Sequence, residues 1–115
     1  MKQALIIEDD LDISEVLEEL LTSLGFSVDK TFSYSEAVQF VQSYEYDLII
    51  SDVNLGEMSK KGTDVIPHAK GSPRVAFISG FPSAPEDTKE FVDRGAKFFT
   101  KPFNFNEIAN WINEE

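Results

Sequence analysis

The sequence predicts an α/β fold, a doubly wound parallel sheet of five strand–helix units, and three observations carry that reading. Short apolar runs (ALII at 4–7, DLIIS at 47–51, RVAFIS at 74–79) alternate with segments of helical periodicity. The interior runs are almost wholly apolar, as strands covered on both faces must be. The length, 115 residues, suits one domain, expected over residues 1–115.

Each element has a local reason. Residues 4–7 are too short an apolar run for a helix and read as a strand. Ile13, Val16, Leu17, Leu20, Leu21 and Leu24 then recur on one helical stripe, and Gly25 stands where a left-handed cap is wanted. Residues 26–32 place Phe26, Val28 and Phe32 among polar neighbours, the pattern of an edge strand. Ser33 and Glu36 have capping-box spacing ahead of Ala37, Phe40 and Val41, which predicts a second helix. After 47–51 comes a polar loop with Gly56 and Gly62, then a short third helix within 63–70, where Pro67 is tolerated only in a first turn. Strand 74–79 leads to Pro82, Ser83 and Pro85, which open a helix closed by Gly95. Residues 96–100 form the last strand, and Asn104 with Glu107 repeats the capping-box spacing ahead of Ile108, Trp111 and Ile112.

Composition narrows the function. Ten basic against 21 acidic residues give a net charge of −11, which repels phosphate backbones and anionic lipids, so neither direct nucleic-acid binding nor a membrane is expected. No apolar run is long enough to span a bilayer, and no leader pattern opens the sequence. The absence of cysteine excludes disulfides, thiolate metal sites and a cysteine nucleophile, and fits a cytoplasmic protein. The sequence is expected to be either a stand-alone module or the front of a longer protein.

In a doubly wound sheet the functional crevice lies at the carboxyl ends of the strands. Glu8, Asp9 and Asp10 follow the first strand, Asp52 ends the third, Ser79 the fourth, and Thr100, Lys101 and Pro102 the fifth. Singly, each has an ordinary explanation: acids favour helix N-termini, an aspartate forms turns, a lysine is a solvated charge. Together they put carboxylates, a hydroxyl and an amine on one rim.

This constellation resembles the receiver domain of two-component response regulators, through IIEDD (6–10), LIISDVNL (48–55), FISG (77–80) and TKPF (100–103), in order over nearly the whole chain. The resemblance implies a flavodoxin-like sheet with strand order 2-1-3-4-5. It implies that Asp52 is the phosphoacceptor, taking a phosphoryl group from a histidine kinase, a histidine phosphotransfer protein or a small acyl phosphate. Glu8, Asp9, Asp52 and the backbone carbonyl of Asn54 would hold Mg²⁺ (or Mn²⁺), while Asp10 caps the first helix. Lys101 would contact the phosphate, Ser79 would be the switch hydroxyl, and Phe98 the aromatic that turns inward with it. Phe99 rivals Phe98, because the segment from Gly95 to Lys101 is one residue short of the usual pattern, and both could simply pack in the core. The Lys101–Pro102 bond is expected to be cis.

The chemistry requires these residue types. Converging carboxylates repel one another and an incoming phosphoryl group, and a hard cation with open positions removes that repulsion. The loop after Asp52 (LGEMSKKG) is longer than usual for the family and has Gly56 where proline is common. Downstream partners, or a dimer mate, would use the face made by the fourth helix, fifth strand and fifth helix; Phe103 is expected in the core, Phe81 and Phe105 as partner contacts. His68 reads as a lone surface histidine. The expected function is a phosphoacceptor signalling module of a phosphorelay, not a turnover enzyme. A receiver fold that binds partners without taking phosphate is the alternative, and an aspartate-nucleophile phosphohydrolase is disfavoured because Asp52-Val53-Asn54 lacks a second acid.

Overall fold

The computed structural model describes residues 2–52, 54–57, 60–61, 65–79, 96–100 and 103–114, with only the backbone for 54–57, 60–61 and 79. Strand β1 (Lys2–Ile7) leads into helix α1 (Leu11–Ser23), β2 (Phe26–Thr31), α2 (Tyr34–Ser43) and β3 (Leu48–Asp52). A short hairpin, β4 (Asn54–Glu57) and β5 (Lys60–Lys61), follows, then β6 (Arg74–Ser79), β7 (Lys97–Thr100) and helix α3 (Phe105–Asn113). Five strands pair in parallel in the order β2-β1-β3-β6-β7. With the separate hairpin set aside, this is the order 2-1-3-4-5, with β2 on an edge as its alternating pattern predicts.

Strand periodicity divides the core in two. Ala4, Ile6, Leu48, Ile50, Ala76, Ile78 and Phe99 point to one face, against Leu17 and Leu21 of α1 and Ile108, Trp111 and Ile112 of α3. Leu5, Ile7, Ile49, Val75 and Phe77 point to the other, against Ala37 and Val41 of α2. Phe103 packs against the first of these clusters, as expected of it.

The capping residues follow the sequence, but the two expected capping boxes do not close. Asp10 caps α1, accepting from the N–H groups of Asp12 (3.0 Å) and Ile13 (3.2 Å). Gly25 takes φ 94°, the left-handed conformation that ends a helix at low cost. Ser33 caps α2 through the Glu36 N–H (3.2 Å), but Glu36 Oε1 reaches back to the N–H of Phe32 (2.8 Å), one residue earlier than a capping box requires. Asn104 caps α3 by accepting from Asn106 N–H (2.7 Å), so Glu107 is not the partner its spacing suggests.

Two segments differ from expectation. The polar loop after Asp52 forms the β4–β5 hairpin, with a register shift between its two pairs, Asn54↔Lys61 and Glu57↔Lys60. Within 63–70 the described residues make one 3-10 turn, Ile66–His68, in place of an α-helix. Pro67 sits at its start, where the missing N–H costs nothing but the helix cannot be extended backward. Ser14 was also unforeseen: it lies with Leu17 and Leu21 at the centre of the buried face of α1.

At the amino ends of the strands, Arg74 closes α3. No basic residue stands in the last turn of α3, and Arg74 supplies the cation from β6. Its Nη1 donates to the Ile112 carbonyl (2.8 Å) and its Nη2 to the Trp111 carbonyl (2.6 Å), while the guanidinium lies 4.4 Å from the Trp111 ring centroid. Phe99 meets the same indole edge-on at 6.1 Å.

Tyr46, buried in the α2-side core, donates its hydroxyl to Asp29 Oδ2 of the edge strand at 2.7 Å. Burial, and then the Asp29 hydrogen bond and charge, push its phenol well above the ordinary value of about 10. A raised folded-state value means that the contribution is complete below about pH 10 and declines above it, where the unfolded chain ionises and the folded one does not. Tyr46→Phe is therefore expected to cost about 1 kcal/mol near neutrality. That deficit should narrow above about pH 10 in urea titrations; a constant gap would contradict the assignment.

Candidate functional site

The topological switch point of this sheet lies between β1 and β3, whose other neighbours, β2 and β6, lie in opposite directions. Register brings the site together. Ile7 pairs with Ser51, so Glu8, one residue beyond β1, comes alongside Asp52, the last residue of β3. Alternation turns both side chains toward the α1 face, since Ile6 and Ile50 belong to that cluster. Carboxylate oxygens of Glu8, Asp9 and Asp52 lie within 4.8 Å of one another. Among the described residues this is the one grouping of three such potential metal-ligating side chains.

The burial of the three differs. Glu8 is 1% exposed and Asp52 6% exposed, while Asp9 faces solvent. Glu8 Oε1 accepts the Asp10 N–H at 3.1 Å, and Asp10 caps α1, so the β1–α1 turn fixes the glutamate and the helix start together. Ser51, also buried, donates Oγ to the Asp52 carbonyl at 2.9 Å and steadies the backbone at the end of β3.

Two buried carboxylates and a third exposed one converge on a site that suits a cation. The donors are all carboxylate oxygens, a hard set suited to Mg²⁺ or a similar ion, and the exposed Asp9 side leaves room for water or phosphate oxygens. The residues present therefore fit a divalent hard cation.

The other expected site residues are placed in part. Asn54 opens the hairpin two residues beyond Asp52. Ser79 ends β6 and pairs with Thr100. Phe98 pairs with Phe77 and is half-buried on the α2 side, whereas Phe99 is buried on the opposite face against Trp111. Phe105 is exposed and stacks edge-on with Phe103, ring centroids 5.7 Å apart. His68 is exposed, with Nδ1 3.4 Å from Gln42 Nε2. Lys101, the Lys101–Pro102 bond, Phe81 and the helix expected from Pro82 to Gly95 lie outside the described residues.

Two residues at the site were not foreseen: Ser51, and Thr31 at the end of β2. Thr31 is fully buried; its carbonyl accepts the Glu8 N–H at 3.1 Å, and its Oγ1 donates to the Ile6 carbonyl at 3.1 Å. The available signal was a hydroxyl residue next to the end of two strands that border the carboxylates.

A doubly wound sheet with a hard-cation carboxylate cluster at its switch point defines a recognisable class, and the comparisons identify it. The chain belongs to the response regulator receiver domain family, whose model matches residues 4–113. It is 35% identical over 109 residues to the cell cycle transcriptional regulator CtrA of Caulobacter vibrioides, covering 92% of this chain and 46% of that protein. The chain thus spans about half the length of that relative. The response regulator receiver protein CpdR of Brucella abortus is 27% identical over 117 residues, covering 97% of this chain and 94% of CpdR. A CheY-like receiver domain from Methanospirillum hungatei superposes with a TM-score of 0.84 over 99% of this chain and 92% of that one, at 21% identity, a likeness of fold. Receiver domains are signalling modules of two-component systems, bind Mg²⁺ at an acidic pocket and interact with histidine kinases and downstream partners. No described helix is long and apolar enough to cross a membrane.

Proposed function

We propose that residues 1–115 form a receiver domain that takes a phosphoryl group onto Asp52 from a histidine kinase or histidine phosphotransfer protein and thereby switches partner binding. The observation that carries this reading is the convergence of Glu8, Asp9 and Asp52 at the switch point. An Asp52 carboxylate oxygen attacks phosphorus, the bond from phosphorus to the donor nitrogen breaks, and the electron pair leaves with the donor imidazole. The product is an aspartyl phosphate, one per chain, so the protein is consumed stoichiometrically and acts as a signal carrier and not as a turnover enzyme. Glu8, Asp9, Asp52 and the Asn54 carbonyl would hold Mg²⁺ (or Mn²⁺), which supplies charge neutralisation for the transferring oxygens.

Lys101 is assigned the contact to the phosphate and Ser79 the hydroxyl that moves onto it. Phe98 is assigned the aromatic switch, supported over Phe99 by its half-exposed position; Phe99 is committed to the Trp111 core. The readout face is the fourth helix, fifth strand and fifth helix, the last two being β7 and α3 here, and the site of action is the cytoplasm.

The test is intact mass after incubation with acetyl phosphate. One phosphoryl group is gained with Mg²⁺ or Mn²⁺ and none in excess chelator. A fully folded protein that gains nothing with metal would favour a phosphorylation-independent interaction module, and multiple-turnover phosphate release from esters would favour a hydrolase.

A further inference from the structure

Glu8 stands just past the end of β1, where the regular pairing with β2 stops: the last pair is Ile7↔Thr31. Thr31 holds this exit from both sides of Ile7. Its carbonyl takes the N–H of Glu8, and its hydroxyl donates to the carbonyl of Ile6, both at 3.1 Å. The hydroxyl bond is buried, and Thr31 itself is wholly excluded from solvent. A buried hydroxyl that satisfies a backbone carbonyl constrains that peptide more tightly than a solvated one, because no water competes for the acceptor.

The next peptides along carry the metal ligands. Glu8 projects its carboxylate into the cluster, receives the Asp10 N–H at 3.1 Å and leads directly into Asp9. A shift of the Ile6–Glu8 backbone would therefore move two of the three carboxylates relative to Asp52. We propose that Thr31 is a positioning residue for the acidic cluster: its side-chain clamp on the edge of β1 sets the backbone from which Glu8 and Asp9 reach the cation. This rests on the reading of Glu8, Asp9 and Asp52 as a divalent-cation site.

The test is the dissociation constant for Mn²⁺ alone, read from the EPR signal of free Mn²⁺, in the wild-type chain and in Thr31→Val, Thr31→Ala and Thr31→Ser. Valine keeps volume and β-branching and removes only the hydroxyl; its affinity is expected to fall about tenfold, the scale on which outer partners of metal ligands act. Alanine should fall at least as far and serves if the valine variant does not fold. Serine, which keeps the hydroxyl, should stay within about twofold of wild type. Arg74→Ala, at the opposite ends of the strands from the cluster, controls for lost stability and should leave the affinity unchanged. Wild-type affinity in Thr31→Val overturns the inference, as does a serine variant as weak as valine. A wild-type chain with no Mn²⁺ site sensitive to Asp52→Asn overturns the reading of the cluster, and the inference with it.

Discussion

Asp52→Asn is expected to abolish the phosphoryl gain from acetyl phosphate and, in chelator, to raise the Tm by about 4 °C. The first effect follows because the neutral amide offers no carboxylate oxygen to form the acyl phosphate. The second follows from the buried pair. Glu8 and Asp52 are 1% and 6% exposed with oxygens within 4.8 Å, and two like charges at that distance repel by roughly 3 kcal/mol at an effective dielectric near 20. Solvent on the Asp9 side and the other interactions of Asp52 reduce this, so a net gain of about 1 kcal/mol is the expectation, or about 4 °C for a domain of this size. Asparagine nearly preserves the shape, and the Ser51 bond goes to the Asp52 carbonyl, which the substitution keeps. In Mg²⁺ the order should reverse, because binding to the folded state stabilises wild type by linkage and the variant less. A variant that still gains one phosphoryl group would move the acceptor elsewhere. A variant less stable than wild type in chelator would show that the cluster is not held against its own repulsion.

The same residues show why the carboxylate cluster was legible in the sequence. Parallel strands of similar length in a doubly wound sheet must end together, so whatever follows ALII and DLIIS meets at the switch point; register Ile7↔Ser51 then makes Glu8 and Asp52 neighbours. Caps were legible where the chemistry is local, as with Asp10, Ser33 and Gly25. Less legible were features that neither spacing nor composition decides. Glu36 has the right spacing to serve its own N-cap but bonds the residue before it. Residues 54–57 and 60–61, read as loop, pair in antiparallel register despite glycine, glutamate and lysine, which have little intrinsic strand preference. Thr31 looks like an ordinary strand residue until the register shows which carbonyl it meets, and Ser51 until its hydroxyl is seen to turn onto the carbonyl of its neighbour Asp52. Arg74 looks like a strand's first polar residue, and nothing near it in sequence announces the helix that it closes 37 residues later.

Arg74→Ala is expected to destabilise the fold strongly, lowering the Tm by about 10 °C. The side chain makes two charge-assisted bonds to the carbonyls of Trp111 and Ile112 and holds its guanidinium carbon 4.4 Å from the indole centroid. Such bonds contribute about 1.5 kcal/mol each or more, and a half-desolvated cation–π contact about 1 kcal/mol. Helix-end carbonyls regain part of this from water, which leaves a net loss of about 2–3 kcal/mol. Arg74→Lys should recover less than half, since one ammonium cannot serve two carbonyls and stack on the ring at once. Trp111 is the only tryptophan, so its emission reports this junction directly, and a red shift at low denaturant should precede global unfolding in the alanine variant. Arg74 stands at the amino end of β6 and the carboxylates at the carboxyl ends of β1 and β3, so Mn²⁺ affinity should be unchanged in the folded variant. The Tm effects of Arg74→Ala and Asp52→Asn should accordingly add, as they do for sites without shared partners. Full rescue by lysine would reduce the arginine to a point charge at a helix terminus, and a weakened cation site would show that α3 docking reaches the acidic cluster through the sheet.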